Sequence, residues 1–303
     1  MENFFKPRLL LGIVLANIIG LGIIYINTYF NSQKDGILIF SEFVIIPLLM
    51  GIICAWFWKD LGLRGWPMTG YAVLAGLLAI LLSFFILGEG VICLLIVSPL
   101  ILGFVITGVF IGRAMFKKKN QTVNVSFVGI LLIFFVVDSL SDHHYANMVS
   151  DQIIIKATPD EVWKHVVAFE KIKQDNNYWL FKFGMPSPME TSVTAKKLGA
   201  GRKCIFSNGY VFDEKIVVFD VNRDLTFDIV KQPQDPEIMG HIDIDRGQFL
   251  LTDNSDGTTT LTGNSWYKLY VFPTWYYDLW AESITRNVHF RVMEHIKVLS
   301  EVK

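Results

Sequence analysis

Long uninterrupted apolar stretches occupy the first half of this 303-residue chain and restrict what it can fold into. Four of them, at residues 9–30, 37–58, 68–87 and 91–111, match the roughly 20 apolar residues that a helix needs to cross about 30 Å of hydrocarbon. A fifth, at 123–140, is shorter in its continuous apolar part. Backbone polar groups inside a bilayer must be satisfied within the segment, so each stretch is predicted to be helical. The sequence therefore predicts an all-α transmembrane bundle of four to five helices within residues 1–142.

Clusters of positive charge predict how such a bundle is oriented. Lys6 and Arg8 precede the first stretch, as in a secretory signal, but no small-residue cleavage site follows, so an uncleaved first helix is expected. If the spans alternate, cations at residues 6–8, 59–64 and 113–119 fall on one side, which the positive-inside rule assigns to the cytoplasm. The chain is thus predicted to be an integral protein of the cell membrane with a cytoplasmic N-terminus. If the fifth stretch crosses, the chain after it lies outside the cytoplasm.

Several functional classes are disfavoured by what the chain lacks. Charged residues make up 18%, against about 25% in an average soluble protein, and the predicted spans contain almost no ionisable side chain, which argues against ion or proton transport. The second half has no long basic run, so no nucleic-acid partner is predicted. The three cysteines are far apart in sequence, and neither a disulfide framework, a metal site nor a cofactor is predicted. Trp56, Trp58 and Trp66 flank the first cytoplasmic loop and are predicted to be interfacial anchors.

The hydrophobic pattern changes at about residue 151, where a water-soluble domain is predicted to begin and to continue to residue 303. Ile153 to Ile155 indicate a strand, and Thr158, Pro159 and Glu161 form a capping box that predicts a helix start. The Asn208–Gly209 pair is typical of a two-residue hairpin. Further antiparallel strands are predicted at 202–207, 210–219, 225–230, 248–252 and 258–270, and residues 178–183 are predicted to form a short helix or loop. After Pro273, apolar residues spaced by three or four predict one long terminal helix.

This order of elements also carries a resemblance. Residues 155–163 (I-K-A-T-P-D-E-V-W), 199–202 (G-A-G-R) and 256–263 (D-G-T-T-T-L-T-G), with the helical ending that holds His289 and Arg291, resemble the START-related polyketide cyclase and lipid-transfer superfamily, SRPBCC. The resemblance implies an α+β helix-grip domain, in which an antiparallel sheet wraps around a long C-terminal helix and leaves an apolar cavity. It is a poor guide to function, because the superfamily includes lipid carriers, cyclases, hormone receptors and chaperone activators.

An excess of aromatic side chains in the second half agrees with such a cavity, although any one of them can equally fill a core. The residues predicted to line a ligand site are Trp163, Phe206, Tyr210, Phe212, Phe227, Phe249, Tyr267, Tyr277, Trp280, Ile284 and His289. Candidates for acid–base catalysis are His289 and His241, with Glu214 and Arg291 as further polar groups, but none forms a local nucleophile–base pair. Arg286 and Arg291 are expected to form surface ion pairs with Glu282 and Glu294.

Three functional hypotheses follow. The leading one is a membrane-anchored binding domain for a lipid or other hydrophobic small molecule. The second is a cyclase or hydratase-type enzyme that acts on such a molecule. The third is a membrane sensor or assembly module without catalysis, in which Gly12, Gly20, Gly51 and Gly112 permit close contact with a membrane protein partner.

Overall fold

A computed structural model of the chain describes residues 7–30, 41–117, 145–174, 177–233 and 241–302, with nine positions between 129 and 140. It divides into two compact units, Met1–His143 with Tyr270–Pro273, and His144–Leu269 with Thr274–Lys303. The predicted fifth span lies partly outside the described residues, and its described positions are helical.

The first unit is a group of apolar helices. They are α1 (Pro7–Phe30), α2 (Ile46–Trp58), α3 (Trp66–Leu82) and α4 (Val91–Lys117), with π-helical turns at Ser41–Ile45 and Ser83–Leu87. Three segments, Pro7–Ile26, Trp66–Leu87 and Val91–Phe116, are long and apolar enough to cross a membrane, whereas Glu42–Trp58 is shorter. The described residues therefore support three spanning helices by length and composition, fewer than the four to five predicted.

Glycines bring α2 and α4 into backbone contact. A Cβ at Gly51 would collide with the carbonyl oxygen of Val105, and one at Gly108 would collide with the carbonyl oxygen of Leu48. Gly12, Gly20 and Gly112 also face side chains of neighbouring helices within the unit. These glycines are used for packing inside the chain, which removes the sequence-based reason for a membrane protein partner at those positions. Trp58 is also internal, 3% exposed with its indole N–H donating to Leu9 O at 3.2 Å, so its predicted role as an interfacial anchor was wrong.

The first unit presents apolar side chains outward and gathers cations at one end. Leu77, Leu81 and Phe85 are about half or more exposed. Arg8 forms an ion pair with Asp60 at 3.5 Å, and the Arg113 guanidinium lies 3.9 Å from Met68 Sδ. The start of α1, the α2–α3 loop and the end of α4 therefore lie at the same end of the bundle. The outward surface of this unit is apolar, whereas the outward surface of a water-soluble helical bundle is mainly polar.

The second unit is a curved seven-stranded antiparallel sheet with a long C-terminal helix, which is a helix-grip fold. The strands are β1 (Tyr145–Ile155), β2 (Pro188–Val193), β3 (Gly201–Phe206), β4 (Val211–Asp220), β5 (Asp224–Lys231), β6 (Ile242–Asp253) and β7 (Thr259–Leu269), in the order β1-β7-β6-β5-β4-β3-β2. The helices are α5 (Pro159–Val167), α6 (Trp179–Lys182) and α7 (Thr274–Glu301). The terminal helix is confirmed. A hairpin does form at Asn208–Gly209, but Phe206 N–H donates to Tyr210 O, so its loop has three residues, 207–209, and not the predicted two.

Two boundaries differ from the sequence-based expectation. β1 begins at Tyr145, so the sheet takes in six residues before position 151. β2 begins at Pro188 and was not predicted; this strand lies at the sheet edge, where the missing proline N–H costs least. Helix α5 starts at Pro159 as predicted, but Thr158 makes no side-chain cap bond, and Glu161 pairs with Lys164 instead.

Helix α7 lies on one face of the sheet, called here the inward face. Ser265 and Tyr267 of β7 hydrogen-bond to His289 and Asp278 of α7, and a Cβ at Gly263 would lie 3.2 Å from Met293 Sδ. Alternate residues along each strand point to the same face, so these contacts fix which residues of β1 to β6 face the helix.

Candidate functional site

One end of the inward face is fully packed. Leu225, Leu251 and Leu261 are at most 6% exposed, and they form a cluster with Met293 and Ile296 of α7 and with the apolar face of α5. Complete burial of branched and unbranched aliphatic side chains stabilises a domain by roughly 1.5–3 kcal/mol for each residue. This end of the domain is an ordinary hydrophobic core.

The other end of the inward face is open. Ile229 and Ile244 lie on central strands and face α7, yet both are only half-buried. Cys204 and Phe206 on β3 are also half-buried, as are Trp280 and Ile284 on the helix. These six residues are less completely buried than those of the packed end, although Ile229 also packs against the edge of the core cluster, and we call them the open region.

A buried ion pair lies on the inward face where the strands approach the open region. Arg202 on β3 donates to Glu214 on β4, and their side chains are only 2% and 4% exposed. The Arg202 guanidinium also donates to Val167 O at 3.3 Å and lies 4.4 Å from the ring centre of Phe227. Burial raises the pKa of Glu214, and the positive charge of Arg202 opposes that rise.

Cys204 lies two residues after Arg202 on the same strand. Burial, with the charge of Glu214, raises the pKa of its thiol to about 12. A nucleophilic or metal-binding cysteine must be a thiolate, so Cys204 acts as a small apolar residue in this site.

Three polar side chains from three elements form a hydrogen-bonded chain on the inward face. Asp151 of β1 accepts from His289 Nδ1 at 2.9 Å, and His289 Nε2 lies 2.8 Å from Ser265 Oγ on β7. Asp151 and His289 are 7% and 5% exposed, whereas Ser265 is half-buried. Arg286, one turn before His289 on α7, donates to the other carboxylate oxygen of Asp151 at 2.9 Å. The sequence had predicted an ion pair of Arg286 with Glu282 instead.

The protonation state of His289 follows from these partners. A carboxylate oxygen can only accept a hydrogen bond, so Nδ1 carries the proton that faces Asp151. Burial lowers the pKa of His289, and Asp151 partly restores it, so the ring is neutral at pH 7. In the neutral ring Nε2 has no proton, so it accepts the hydrogen bond of the Ser265 hydroxyl.

A second polar group ties the start of α7 to the sheet. Tyr267 OH donates to Asp278 Oδ1 at 2.7 Å, and Asn147 Nδ2 donates to both oxygens of the same carboxylate at 3.0 and 3.1 Å. Burial, together with the adjacent charge of Asp278, raises the pKa of Tyr267, so its hydroxyl stays protonated. The group anchors α7 beside the open region, and no proton leaves it near neutral pH.

The residues predicted from sequence to bind a ligand are placed in four different environments. Trp163, Phe227 and Phe249 belong to the packed core; Phe212, Tyr267, Tyr277 and His289 are buried; Phe206, Trp280 and Ile284 are half-buried in the open region; and Tyr210 is 38% exposed in the turn before β4. The candidate catalysts also separate. His289 is part of the hydrogen-bonded chain, whereas His241 is half-buried immediately before β6. Arg291, expected to pair with Glu294, donates to Pro188 O at 3.0 Å.

Asp151, Ser265 and Arg202 were not among the predicted site residues. Residues 149, 151, 153 and 155 share one face of β1, so period-two alternation places Asp151 on an otherwise apolar face. A charged residue at an inward position is a signal that sequence can give. The partners of Asp151 could not be found in this way, because they lie on the last strand and the last helix.

Comparison with known proteins returns matches to solved structures only. No protein-family model matches the chain, and no curated protein matches it. Norcoclaurine synthase from Thalictrum flavum, in truncated form, matches 54% of this chain and 99% of its own, with 9% identity and a TM-score of 0.37. A protein from Nitrosospira multiformis matches 50% of this chain and 94% of its own, with 14% identity and a TM-score of 0.33. A protein from Mesorhizobium loti matches 50% of this chain and 96% of its own, with 15% identity and a TM-score of 0.32. Because these scores are low, the helix-grip assignment rests on the strand order and terminal helix described above.

Proposed function

We propose that the second unit binds a hydrophobic molecule, such as a membrane lipid, in the open region between its sheet and α7. The observation that carries this proposal is the contrast along the inward face. Leu225, Leu251 and Leu261 are enclosed, whereas Ile229 and Ile244 on the same central strands keep solvent exposure beneath the helix. Apolar side chains that stay exposed to water lose about 25 cal/mol of stabilising free energy for each Å² of surface that is not buried. An apolar ligand that covers this surface recovers that free energy.

The buried ion pair and the His289 chain supply polar groups beside an otherwise apolar surface. Ligand sites usually combine such surfaces with a few polar groups that fix orientation. The amphiphilic shape of a lipid suits this arrangement, with its chain against Ile229, Ile244 and Ile284 and its polar part toward the polar side chains. These polar groups indicate only the chemical class of the ligand, because their hydrogen bonds are already satisfied within the protein.

Co-purification tests the binding proposal. The full chain is expected to retain a hydrophobic molecule through purification in mild detergent, which organic extraction and mass spectrometry will identify. Ile229→Trp fills the open region and is expected to reduce the retained amount about tenfold or more, equivalent to about 1.4 kcal/mol of affinity. Val230→Trp is the matched control, because Val230 is the next residue of β5 but points to the opposite face and is 60% exposed. Equal retention by the two variants would contradict the proposal.

We further propose that the first unit is an integral membrane anchor whose cationic end faces the cytoplasm. The outward apolar side chains of α1, α3 and α4, and the gathering of Arg8 and Arg113 at one end, support this orientation. A tether of this kind raises the local concentration of the binding domain at the bilayer that supplies its ligand.

Cysteine accessibility tests the orientation. Arg64 and Glu89 lie in the loops before and after the segment Trp66–Leu87, and they must be on opposite sides if that segment spans. In intact cells a membrane-impermeant maleimide is expected to label the Glu89→Cys variant but not the Arg64→Cys variant. Permeabilised cells should show labelling of both. The reverse pattern in intact cells would invert the proposed topology.

A further inference from the structure

We propose that Ser265, His289 and Asp151 form a nucleophilic triad, and that Ser265 attacks carboxylic esters of hydrophobic acyl chains. Ser265 Oγ lies 2.8 Å from His289 Nε2, and His289 Nδ1 lies 2.9 Å from Asp151 Oδ2. A hydroxyl beside an imidazole nitrogen, with the other nitrogen oriented by a carboxylate, is the arrangement that activates serine as a nucleophile. The substrate class rests on the proposed function, because an apolar acyl chain must lie in the open region.

The three residues come from distant parts of the chain but lie next to one another on the inward face. Asp151 and Ser265 lie on neighbouring strands, β1 and β7, where Asp151 pairs with Gly263 and Val149 pairs with Ser265. Gly263 lies next to the imidazole, since a Cβ built there would be in van der Waals contact with His289 Cγ at 3.7 Å. The opposite neighbour of Ser265 is Gly247 on β6, which adds no side chain beside the hydroxyl.

Access and protonation state both suit a nucleophile. Ser265 keeps solvent exposure although it lies on a strand flanked on both sides, whereas the base and the carboxylate are enclosed. Burial lowers the pKa of His289; of the charged groups around the ring, Asp151 from β1 raises this pKa and Arg286 from α7 lowers it. A neutral imidazole at pH 7 is the form that can take a proton from Ser265.

The reaction balances with water as the only co-reactant. Ser265 Oγ attacks the ester carbonyl carbon while its proton moves to His289 Nε2, and that proton then leaves with the alcohol when the carbon–oxygen bond breaks. Water attacks the resulting acyl-serine, His289 takes one of its protons, and Ser265 recovers that proton as the carboxylic acid departs. Asp151 stabilises the imidazolium formed in each half-reaction and keeps the ring in the productive orientation.

The sheet itself predicts that turnover is slow. The amides around Ser265 belong to ladders with β1 on one side and β6 on the other, so they are not free to hold an oxyanion. Loss of one such donor typically costs about 10²–10³ in kcat. Covalent labelling of Ser265 is therefore a more sensitive test than steady-state hydrolysis.

The test uses the full chain in detergent and a fluorophosphonate, which reacts with activated serines. We expect one adduct per chain, mapped to Ser265 by peptide mass spectrometry, and none on Ser283, a half-buried serine whose hydroxyl faces Tyr178 OH at 3.1 Å. Ser265→Ala should abolish the adduct, and Ser283→Ala should leave it unchanged. His289→Asn should slow labelling by about 10²-fold or more, because general-base catalysis contributes about 10²–10⁴. A folded wild-type chain without the adduct, or undiminished labelling of His289→Asn, would overturn the triad.

The pH profile separates catalysis from a purely structural role. The labelling rate should rise with pH and then level off, with a midpoint below the usual histidine value of 6.5, since burial lowers the pKa of His289. Asp151→Asn removes a charge that raises this pKa, so its midpoint should move to lower pH and its plateau should fall. A structural hydrogen bond would leave the profile without a His289 midpoint. Ligand retention, measured separately in Ser265→Ala, reports on the binding proposal alone; labelling without retained ligand would overturn binding and leave the triad standing.

Discussion

Arg202→Met is expected to destabilise β3 and β4 by about 3–5 kcal/mol, because it leaves the Glu214 carboxyl group buried without its partner. Hydrogen exchange of the β3 and β4 peptides in the full chain measures this loss. Each 1.36 kcal/mol is tenfold in an equilibrium constant, so exchange should accelerate by about two to more than three orders of magnitude. Exchange in α4 of the first unit should not change.

The double variant Arg202→Met, Glu214→Leu distinguishes the cost of an unpaired charge from the net contribution of the pair. Replacing both members by apolar residues of similar volume is often neutral or stabilising, so protection should return close to the wild-type level. Arg246→Met is the matched control, since Arg246 and Asp228 form a similar cross-strand pair that is 47% and 38% exposed. An exposed pair contributes less than about 1 kcal/mol. A double variant as unstable as Arg202→Met alone would show that the pair itself stabilises the sheet.

Gly108→Ala is expected to destabilise the first unit by about 1–3 kcal/mol or more, although alanine is the better helix former by about 1 kcal/mol. The added Cβ would meet the Leu48 carbonyl oxygen, with Leu48 C at 2.9 Å and Gly51 Cα at 3.1 Å, and backbone atoms cannot rotate aside. The apparent melting temperature of the full chain in detergent should fall.

Gly103→Ala is the control for that prediction. Gly103 lies on the same helix, is exposed, and has no atom within 4 Å of an added Cβ. Its substitution should leave the melting temperature unchanged or raise it slightly, through helix propensity alone. Equal melting temperatures for the two variants would mean that α2 and α4 do not approach as closely as described.

The elements that sequence predicted well are those determined by local chemistry. Asn208–Gly209 gives a hairpin turn wherever it occurs between strands, and the spacing of apolar residues after Pro273 is sufficient to define α7. The capping-box prediction failed because another side-chain pair on the same helix competes with it. Thr158 and Glu161 have the residue types of a capping box, yet Lys164 on the next turn attracts the Glu161 carboxylate at 2.6 Å.

The ligand site was predicted from the aromatic surplus alone, and this remains a prediction. Phe227 and Phe249 fill the core, while isoleucines such as Ile229 and Ile244 are only half-buried. The polar groups required the register of strands far apart in sequence. His289 was identified as a candidate, whereas its partners Ser265 and Asp151 emerge only when β1 is placed beside β7.

That placement of β1 also determines when the second unit can fold. Among the described strands, β1 is the first to be synthesised, and it pairs with β7, the last. Contacts between residues so far apart in sequence form slowly, because a long loop must close before they bring any stabilisation. The sheet therefore cannot be completed until β7 has left the ribosome, and α7 cannot dock on it before then. During that interval the apolar face of β1 is uncovered, which exposes the unfinished domain to aggregation.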